Sequence, residues 1–196
     1  LSVAVGEDHR CMLNLGGGFA CSGSGASGQL GTGLLPGASP PAVVDVAAGA
    51  AHSCGVSVDG RLACWGGNEV GQAGQDATDE VLAPVWVEAI AGVTGVRAVA
   101  GGRYHGCAAR ADGTPWCWGA GDAGQLGAVA DEALEPLPVA DVGPVVDLAA
   151  GYLHTCAVQS DHTIACWGET TSGQTKAGSG TATVLASGAN HTCALD

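Results

Sequence analysis

Residues 43–66 read Val-Val-Asp-Val-Ala-Ala-Gly-Ala-Ala-His-Ser-Cys-Gly-Val-Ser-Val-Asp-Gly-Arg-Leu-Ala-Cys-Trp-Gly. A β-branched run from Val43 to Val46 passes into the small residues Ala47, Ala48 and Gly49, after which His52 to Val58 and Arg61 to Trp65 flank Asp59-Gly60. Runs of this kind on either side of Asp-Gly form a hairpin signature. With Val58-Asp59-Gly60 as a three-residue loop and Gly60 in the left-handed bulge position, residues 57 and 61 close the hairpin and Cys54 faces Cys64. Counted outward, that pair falls on a non-hydrogen-bonded site. There the Cα atoms lie closest, and the short Cβ separation of a disulfide is met.

The stretch recurs. Gly-x-x-His-x-Cys appears with His9, His52, His105, His154 and His191, at steps of 43, 53, 49 and 37 residues. A second cysteine follows ten residues after the first in four copies, which gives the pairs Cys11–Cys21, Cys54–Cys64, Cys107–Cys117 and Cys156–Cys166. Three of these open Cys-Trp-Gly, and each full copy continues to Gly-Gln, at Gly28-Gln29, Gly71-Gln72, Gly124-Gln125 and Gly173-Gln174. Copy three carries Asp112-Gly113 at its hairpin tip, whereas copy four has Asp161-His162, where a left-handed histidine is mildly strained. Pro84 to Val87 supplies a fourth strand whose proline suits an outer edge. Four antiparallel strands in a unit of about 50 residues make a β-propeller blade, so the fold class is all-β. The units run approximately 1–42, 43–95, 96–144 and 145–183, with a partial fifth at 184–196.

Composition agrees. Of 196 residues, 46% are hydrophobic but only 4% aromatic, and 34 glycines are scattered without a collagen period, so the core must be built from small aliphatic side chains between many tight turns. Six Lys plus Arg stand against 19 Asp plus Glu, for a net charge of −13. Nucleic acid is therefore not an expected partner, because phosphate binding needs a basic face. No stretch has the length of apolar residues that spans a membrane. Nine cysteines at regular spacing fit an oxidising compartment, and the expected location is secreted, periplasmic or cell-surface.

The residues that could carry chemistry repeat too regularly to mark a single site. Five of the six histidines occupy one repeat position without a recurrent serine or paired carboxylate, which implies hydrogen bonding near the propeller core; His162, at a hairpin tip, is the exception. His52, Cys54 and Cys64 share a hairpin face and could supply three zinc ligands, but the sequence offers no fourth in every blade. Gly23 to Gly28 and Gly119 to Gly124 satisfy G-x-G-x-x-G literally, yet no helical pattern follows to receive a pyrophosphate. We expect no catalytic residue, no metal and no cofactor. Trp65, Trp118 and Trp167 recur and read as packing between blades, whereas Trp86 and Trp116 stand outside the repeat and are better binding candidates. Asn190-His191-Thr192 is a glycosylation sequon by rule that lies inside the repeat motif.

The ordered series Gly-x-x-His, Cys-Trp-Gly and Gly-Gln-Leu-Gly resembles the regulator of chromosome condensation repeat over essentially the whole chain. The cysteine pairs point to its disulfide-containing, secreted bacterial type. That resemblance implies a propeller, usually of seven blades, and a range of functions: nucleotide exchange on a small GTPase, light reception, or inhibition of β-lactamases by a secreted member. The acidic charge and cysteine pairs depart from the nuclear members, so nucleotide exchange ranks below the other readings. In the secreted inhibitor that this sequence resembles, one propeller face carries aromatic contacts with the target. The matching positions here are the two variable residues between Gly and His. Among them Arg103, Tyr104 and Tyr152 are types that anchor interfaces, although the same positions also suit an ordinary solvated rim.

The leading expectation is thus a non-enzymatic propeller module that binds a protein or cell-surface component through one face. The alternatives are a structural domain of a larger surface protein or assembly, and a secreted hydrolase inhibitor. Four full copies and part of a fifth fall short of seven blades, and Cys193 sits at a first-cysteine position whose partner would fall beyond Asp196. Missing blades elsewhere in a longer protein, or self-association of copies, are the expected ways of completing the ring.

Overall fold

The computed structural model describes residues 2–32, 41–75, 80–81, 94–176 and 180–196. Fifteen strands in five antiparallel sheets account for its regular structure, and no helix occurs among the described residues. The first sheet comprises β1 (Ser2–Val5), β2 (His9–Leu13) and β3 (Phe19–Gly23), and the second β4 (Val43–Ala48), β5 (His52–Ser57) and β6 (Leu62–Gly66). The third has four strands, β7 (Val96–Gly101), β8 (His105–Arg110), β9 (Pro115–Ala120) and β10 (Glu132–Pro138). The fourth is formed by β11 (Val145–Ala150), β12 (His154–Gln159) and β13 (Ile164–Gly168), and the fifth by β14 (Val184–Ser187) and β15 (Thr192–Leu195). Each sheet is a meander in chain order. The first strands β1, β4, β7, β11 and β14 pack in sequence against one another, as inner strands do around a propeller axis.

The hairpins follow the expected chemistry. Gly60 takes a φ of 78°, the Ser57 amide donates to Arg61 O at 2.8 Å, and Cys54 lies directly opposite Cys64. Their Cα atoms are 4.0 Å apart, the close approach of a non-hydrogen-bonded pair. The other three bridges, Cys11–Cys21, Cys107–Cys117 and Cys156–Cys166, repeat this geometry with Cα separations of 4.0 to 4.1 Å. Gly113 fills the same tip position at φ 85°, and His162 fills it at φ 67°, with its ring Nδ1 3.3 Å from Ala182 O. Cys193 is a free, exposed thiol. The fourth strand expected at Pro84 to Val87 lies outside the described residues, as does Trp86. In the third sheet, β10 supplies that strand and carries Pro136 and Pro138 on the outer edge.

The core lies between sheets rather than within one. Ala47, Val56 and Leu62 of the second sheet meet Val96, Val99, Ala108 and Trp118 of the third. Ala98 and Ala109 of the third meet Val145, Leu148 and Ala157 of the fourth, and Leu13 of the first meets Val43 and Val46 of the second. The side chains are mostly Ala, Val and Cys, as the shortage of aromatics requires.

Three elements of the repeat join neighbouring blades by hydrogen bonds. Each Gln of Gly-Gln turns its Oε1 back onto an amide two residues earlier, as Gln29 does to Ser27 N at 2.9 Å, so that its main-chain carbonyl faces the next blade. That carbonyl accepts from the indole Nε1 of the following tryptophan: Trp65 to Gln29 O at 3.0 Å, Trp118 to Gln72 O at 3.0 Å and Trp167 to Gln125 O at 2.8 Å. In two interfaces it also accepts from the hydroxyl before the cysteine, Ser53 to Gln29 O at 2.9 Å and Thr155 to Gln125 O at 3.1 Å. The hydroxyl proton being spent there, the preceding histidine donates through Nε2–H, His9 to Ser53 at 2.8 Å and His105 to Thr155 at 2.9 Å. The invariant glycine three residues before each histidine leaves room for its ring: a Cβ on Gly49, Gly102 or Gly151 would run into the imidazole of His52, His105 or His154.

One interface departs from this pattern. Copy three has Gly106 where copies two and four have Ser53 and Thr155. The Trp118 ring occupies the space in which a Cβ on Gly106 would stand, 2.5 Å from ring carbon Cζ2. His52 is therefore fully buried with neither ring nitrogen bonded to a described residue.

A second bridge comes from a bulge in the inner strands. Asp45 sits at the register shift between β4 and β5, where its Oδ2 accepts from Val99 N of the next blade at 3.0 Å, and Asp147 likewise reaches Leu185 N at 2.7 Å. Ala98 holds the corresponding place in β7, so the third blade lacks this contact with the fourth.

Three outcomes follow from these contacts. His52→Leu should destabilise the protein less than His105→Leu, by about 1 kcal/mol, because only His105 gives up a hydrogen bond to a protein group; urea unfolding of the two variants measures the difference. Gly102→Ala should cost about 2 kcal/mol or more, because the added methyl displaces a fully buried imidazole. Stability should also fall on acidification. Burial pulls His52 down to about 4 and His105 to about 3, and it lowers His9 and His154 in the same direction. From pH 6.5 downward the unfolded chain then binds protons that the folded chain refuses, which favours unfolding. Asp45, pushed up to about 6 by burial, and Asp147, raised in the same direction, act oppositely once the pH drops below about 6. Four imidazoles against two carboxyls, with the larger shifts on imidazole, set the net sign. The urea midpoint should be insensitive to these groups above about pH 7.5 and decline toward pH 4; a flat or rising profile would contradict the assignment.

Candidate functional site

Each inner strand stops one residue before the repeat glycine, a two-residue turn follows that glycine, and in the first four sheets histidine opens the second strand. The variable pair between Gly and His consequently lies at one mouth of the axis in every blade. Hydrogen bonds link the turns from blade to blade: Ala50 N to Gly102 O at 3.3 Å, Arg103 N to Gly151 O at 3.3 Å and Tyr152 N to Ala189 O at 2.9 Å. Within this rim is a cavity of about 400 Å³, walled by the glycines and by Ala48, Gly101, Ala150 and Ser187 before them. These small residues keep the wall close to bare backbone. The larger side chains at the opening are those of Val5, Glu7, Arg103 and Tyr152.

The structure brings Arg103, Tyr104 and Tyr152 together. The guanidinium carbon lies 5.0 Å from the centroid of the Tyr104 ring and 5.1 Å from that of Tyr152, so one cation serves two π-systems from adjacent blades. Tyr104 is exposed, while Arg103 and Tyr152 are half-buried. Arg103 Nε is buried and has no hydrogen-bond partner among the described residues. The two ion pairs there, Arg61–Asp59 at 2.8 Å and Arg110–Asp112 at 3.8 Å, lie at hairpin tips and do not involve it. Glu7, exposed on the same rim, is the other charged residue bordering the cavity among the described residues.

The remaining candidates go elsewhere. Cys54 and Cys64 are joined at 2.03 Å, so their sulfurs are not available as the zinc ligands considered with His52. Trp116 is half-buried against the cluster of Val56, Leu62 and Trp118, and is a core residue rather than a binding platform. The G-x-G-x-x-G stretches are blade turns, closed by bonds such as Gly28 N to Gly25 O at 3.1 Å and Gly124 N to Gly121 O at 2.8 Å. Thr192, the hydroxyl residue of the sequon, is bonded to His154 Nε2 at 2.9 Å and to Ser187 at 2.8 Å. What the sequence reading missed is the cavity itself. Its signal lay in the Ala-Ala-Gly and Ala-Gly-Gly ends of the inner strands, which leave the axis unfilled.

Comparison with known proteins places this geometry. Two family models, both described as "Regulator of chromosome condensation (RCC1) repeat", match the chain, one at residues 43–72, 96–125 and 145–174 and the other at 59–109 and 112–158. No curated protein sequence matches. Among solved structures, human WBSCR16 superposes with a TM-score of 0.76 at 24% identity, covering 86% of this chain and 46% of its own. Prp20p from Saccharomyces cerevisiae, whose structure was described together with its binding to Gsp1p and histones, gives 0.70 at 25% identity over 89% of this chain and 45% of its own. The ectodomain of the Physcomitrella patens receptor kinase CR4 gives 0.63 at 23% identity, covering 98% and 46%. The chain thus spans less than half the length of each of these structures. Four disulfides add the mark of an oxidising environment, and no helix among the described residues is long and apolar enough to cross a membrane. With the repeat matched over three successive blades, and the Trp-Gly of one blade joined to the Gly-Gln of the blade before it, the chain belongs to the regulator of chromosome condensation repeat family.

Proposed function

We propose that this chain is an extracytoplasmic binding module, without chemistry of its own, which engages a protein partner through the rim that carries Arg103, Tyr104 and Tyr152. The observation that carries the reading is the stacked arginine. Arginine and tyrosine are the types that dominate interface energetics, and here the three side chains form one cluster from two blades beside an open cavity. The groups that could act as acids or bases support a binding role, since His52 and His105 are buried between sheets away from solvent. A similar propeller, Prp20p, binds protein partners, which is consistent with such use of the fold. Four disulfides favour a secreted, periplasmic or cell-surface setting. The strongly acidic composition favours a partner that is not a polyanion.

The test is the triple variant R103A/Y104A/Y152A. It should lose the partner that the protein without these three substitutions crosslinks in its native source, when each carries a photoreactive group at Ala50 or Ala189 on the same rim. Its thermal midpoint should fall by only about 2–8 °C with the cooperative transition kept, because the two cation–π contacts together are worth about 1–2 kcal/mol. An unchanged crosslinking pattern would remove this rim from the account.

A further inference from the structure

Arg103 presents a problem that the fold does not solve. A guanidinium carries five N–H donors and cannot shed its charge, so a half-buried one is normally satisfied by a carboxylate or by carbonyl oxygens. Here the rings of Tyr104 and Tyr152 take up its positive charge, yet neither ring offers an in-plane acceptor, and Nε is buried without a partner among the described residues. Glu7 borders the same cavity but forms no ion pair with it. The arginine is therefore held against two rings, with Nε occluded, while no protein group among the described residues accepts from its remaining hydrogen-bonding edge, the Nη groups. That is the state of preorganisation in which little side-chain entropy is left to lose on binding.

The chemistry of a ligand for that edge is restricted. A polyanion such as nucleic acid or an anionic membrane meets a chain of net charge −13, with Arg103 the only cation bordering the cavity among the described residues. A single planar carboxylate matches the fork geometry of guanidinium and requires no wider basic field. We propose that Arg103, clamped between Tyr104 and Tyr152, is the docking point for one carboxylate of a protein partner, an acidic side chain or a chain terminus that enters the axial cavity. This rests on the reading of the rim as the binding face, and it names the group recognised there.

Proton–nitrogen correlation NMR of the whole chain tests it, because the buried Arg103 Nε–H gives a side-chain resonance that Arg103→Lys deletes. Four probes are titrated into the tens of millimolar: acetyl-Ala-Glu-Ala-amide, acetyl-Ala-Gln-Ala-amide, acetyl-Ala-Ala-Ala with a free C-terminus, and inorganic phosphate. The expected result is a saturable displacement of that resonance by the glutamate peptide, by the free terminus or by both, whichever moves it identifying the source of the carboxylate. The glutamine peptide should move it little. Arg103→Lys, followed through the Tyr152 amide, should weaken the effective carboxylate probe by about tenfold, since lysine keeps the charge and loses the fork. No displacement by either carboxylate, or an equal one by phosphate or by the glutamine peptide, would overturn the proposal. If the carboxylates fail while R103A/Y104A/Y152A still loses its partner, the rim binds by other means. If the triple variant keeps its partner, the reading of the rim itself falls.

Discussion

The structure depends on one carbonyl group per blade, that of the glutamine in Gly-Gln. It accepts the indole N–H of the next blade, and beside Ser53 and Thr155 it accepts a hydroxyl as well, which in turn receives the buried histidine. A backbone acceptor buried between two sheets is costly if unpaired. Packing of adjacent blades is therefore tied to a polar register as well as to apolar area. This explains why glycine, glutamine, tryptophan and histidine recur together: each residue type makes another's position possible. The turn glycine lets the glutamine fold back, the folded glutamine aims its carbonyl, the tryptophan meets it, and the repeat glycine makes space for the histidine ring.

The weakness of the apolar core makes that register matter more. Sheets packed through Ala, Val and Cys bury less area per residue than aromatic-rich cores, and the chain has few aromatics to add. The disulfides offset part of this deficit. Each closes a ten-residue separation in the middle of a hairpin, which in the chain-entropy description is worth about 3 kcal/mol. Two charged bridges, from Asp45 and Asp147 on the inner-strand bulges, add links between blades at the cost of keeping carboxyls out of water. The second blade's interface with the third is built differently from those on either side: Gly106 removes the hydroxyl, and Trp118 fills the space.

Binding capacity lies where the repeat relaxes. The glycine and histidine that frame each rim turn are fixed by packing, so variation is confined to the two residues between them. Inner strands that end in small residues, Ala48, Gly101, Ala150 and Ser187, open a cavity at the axis, and the first residue of each variable pair borders it. From their variable pairs the second and fifth blades contribute only alanine to the cavity border and the first contributes Glu7, so the aromatic and cationic character of the rim comes from the third and fourth blades. Arg103 contacts Tyr104 within its own turn and Tyr152 across the junction of these two blades, so its placement depends on blade packing as well as on the turn.

The repeat, its strands and the cysteine partners were legible in the sequence because they follow from local rules. The hairpin register is set by a three-residue loop and a left-handed tip position, and a two-residue period then decides which cysteines face each other. The grouping of Arg103, Tyr104 and Tyr152 was legible as a shared rim, because the same motif position must fall at the same place in every blade. That the repeated tryptophans pack between blades was legible, but the partners in the contacts between blades were not. That Ser53 and Thr155 receive the preceding histidine, that Gly106 leaves His52 without a protein partner, and that Trp116 packs inward although it lies outside the repeat all depend on the distance and rotation between neighbouring sheets. No local period encodes those quantities. They arise only when the sheets are stacked, because side-chain volumes on two facing surfaces must be satisfied together, and that joint constraint is set by the tertiary structure.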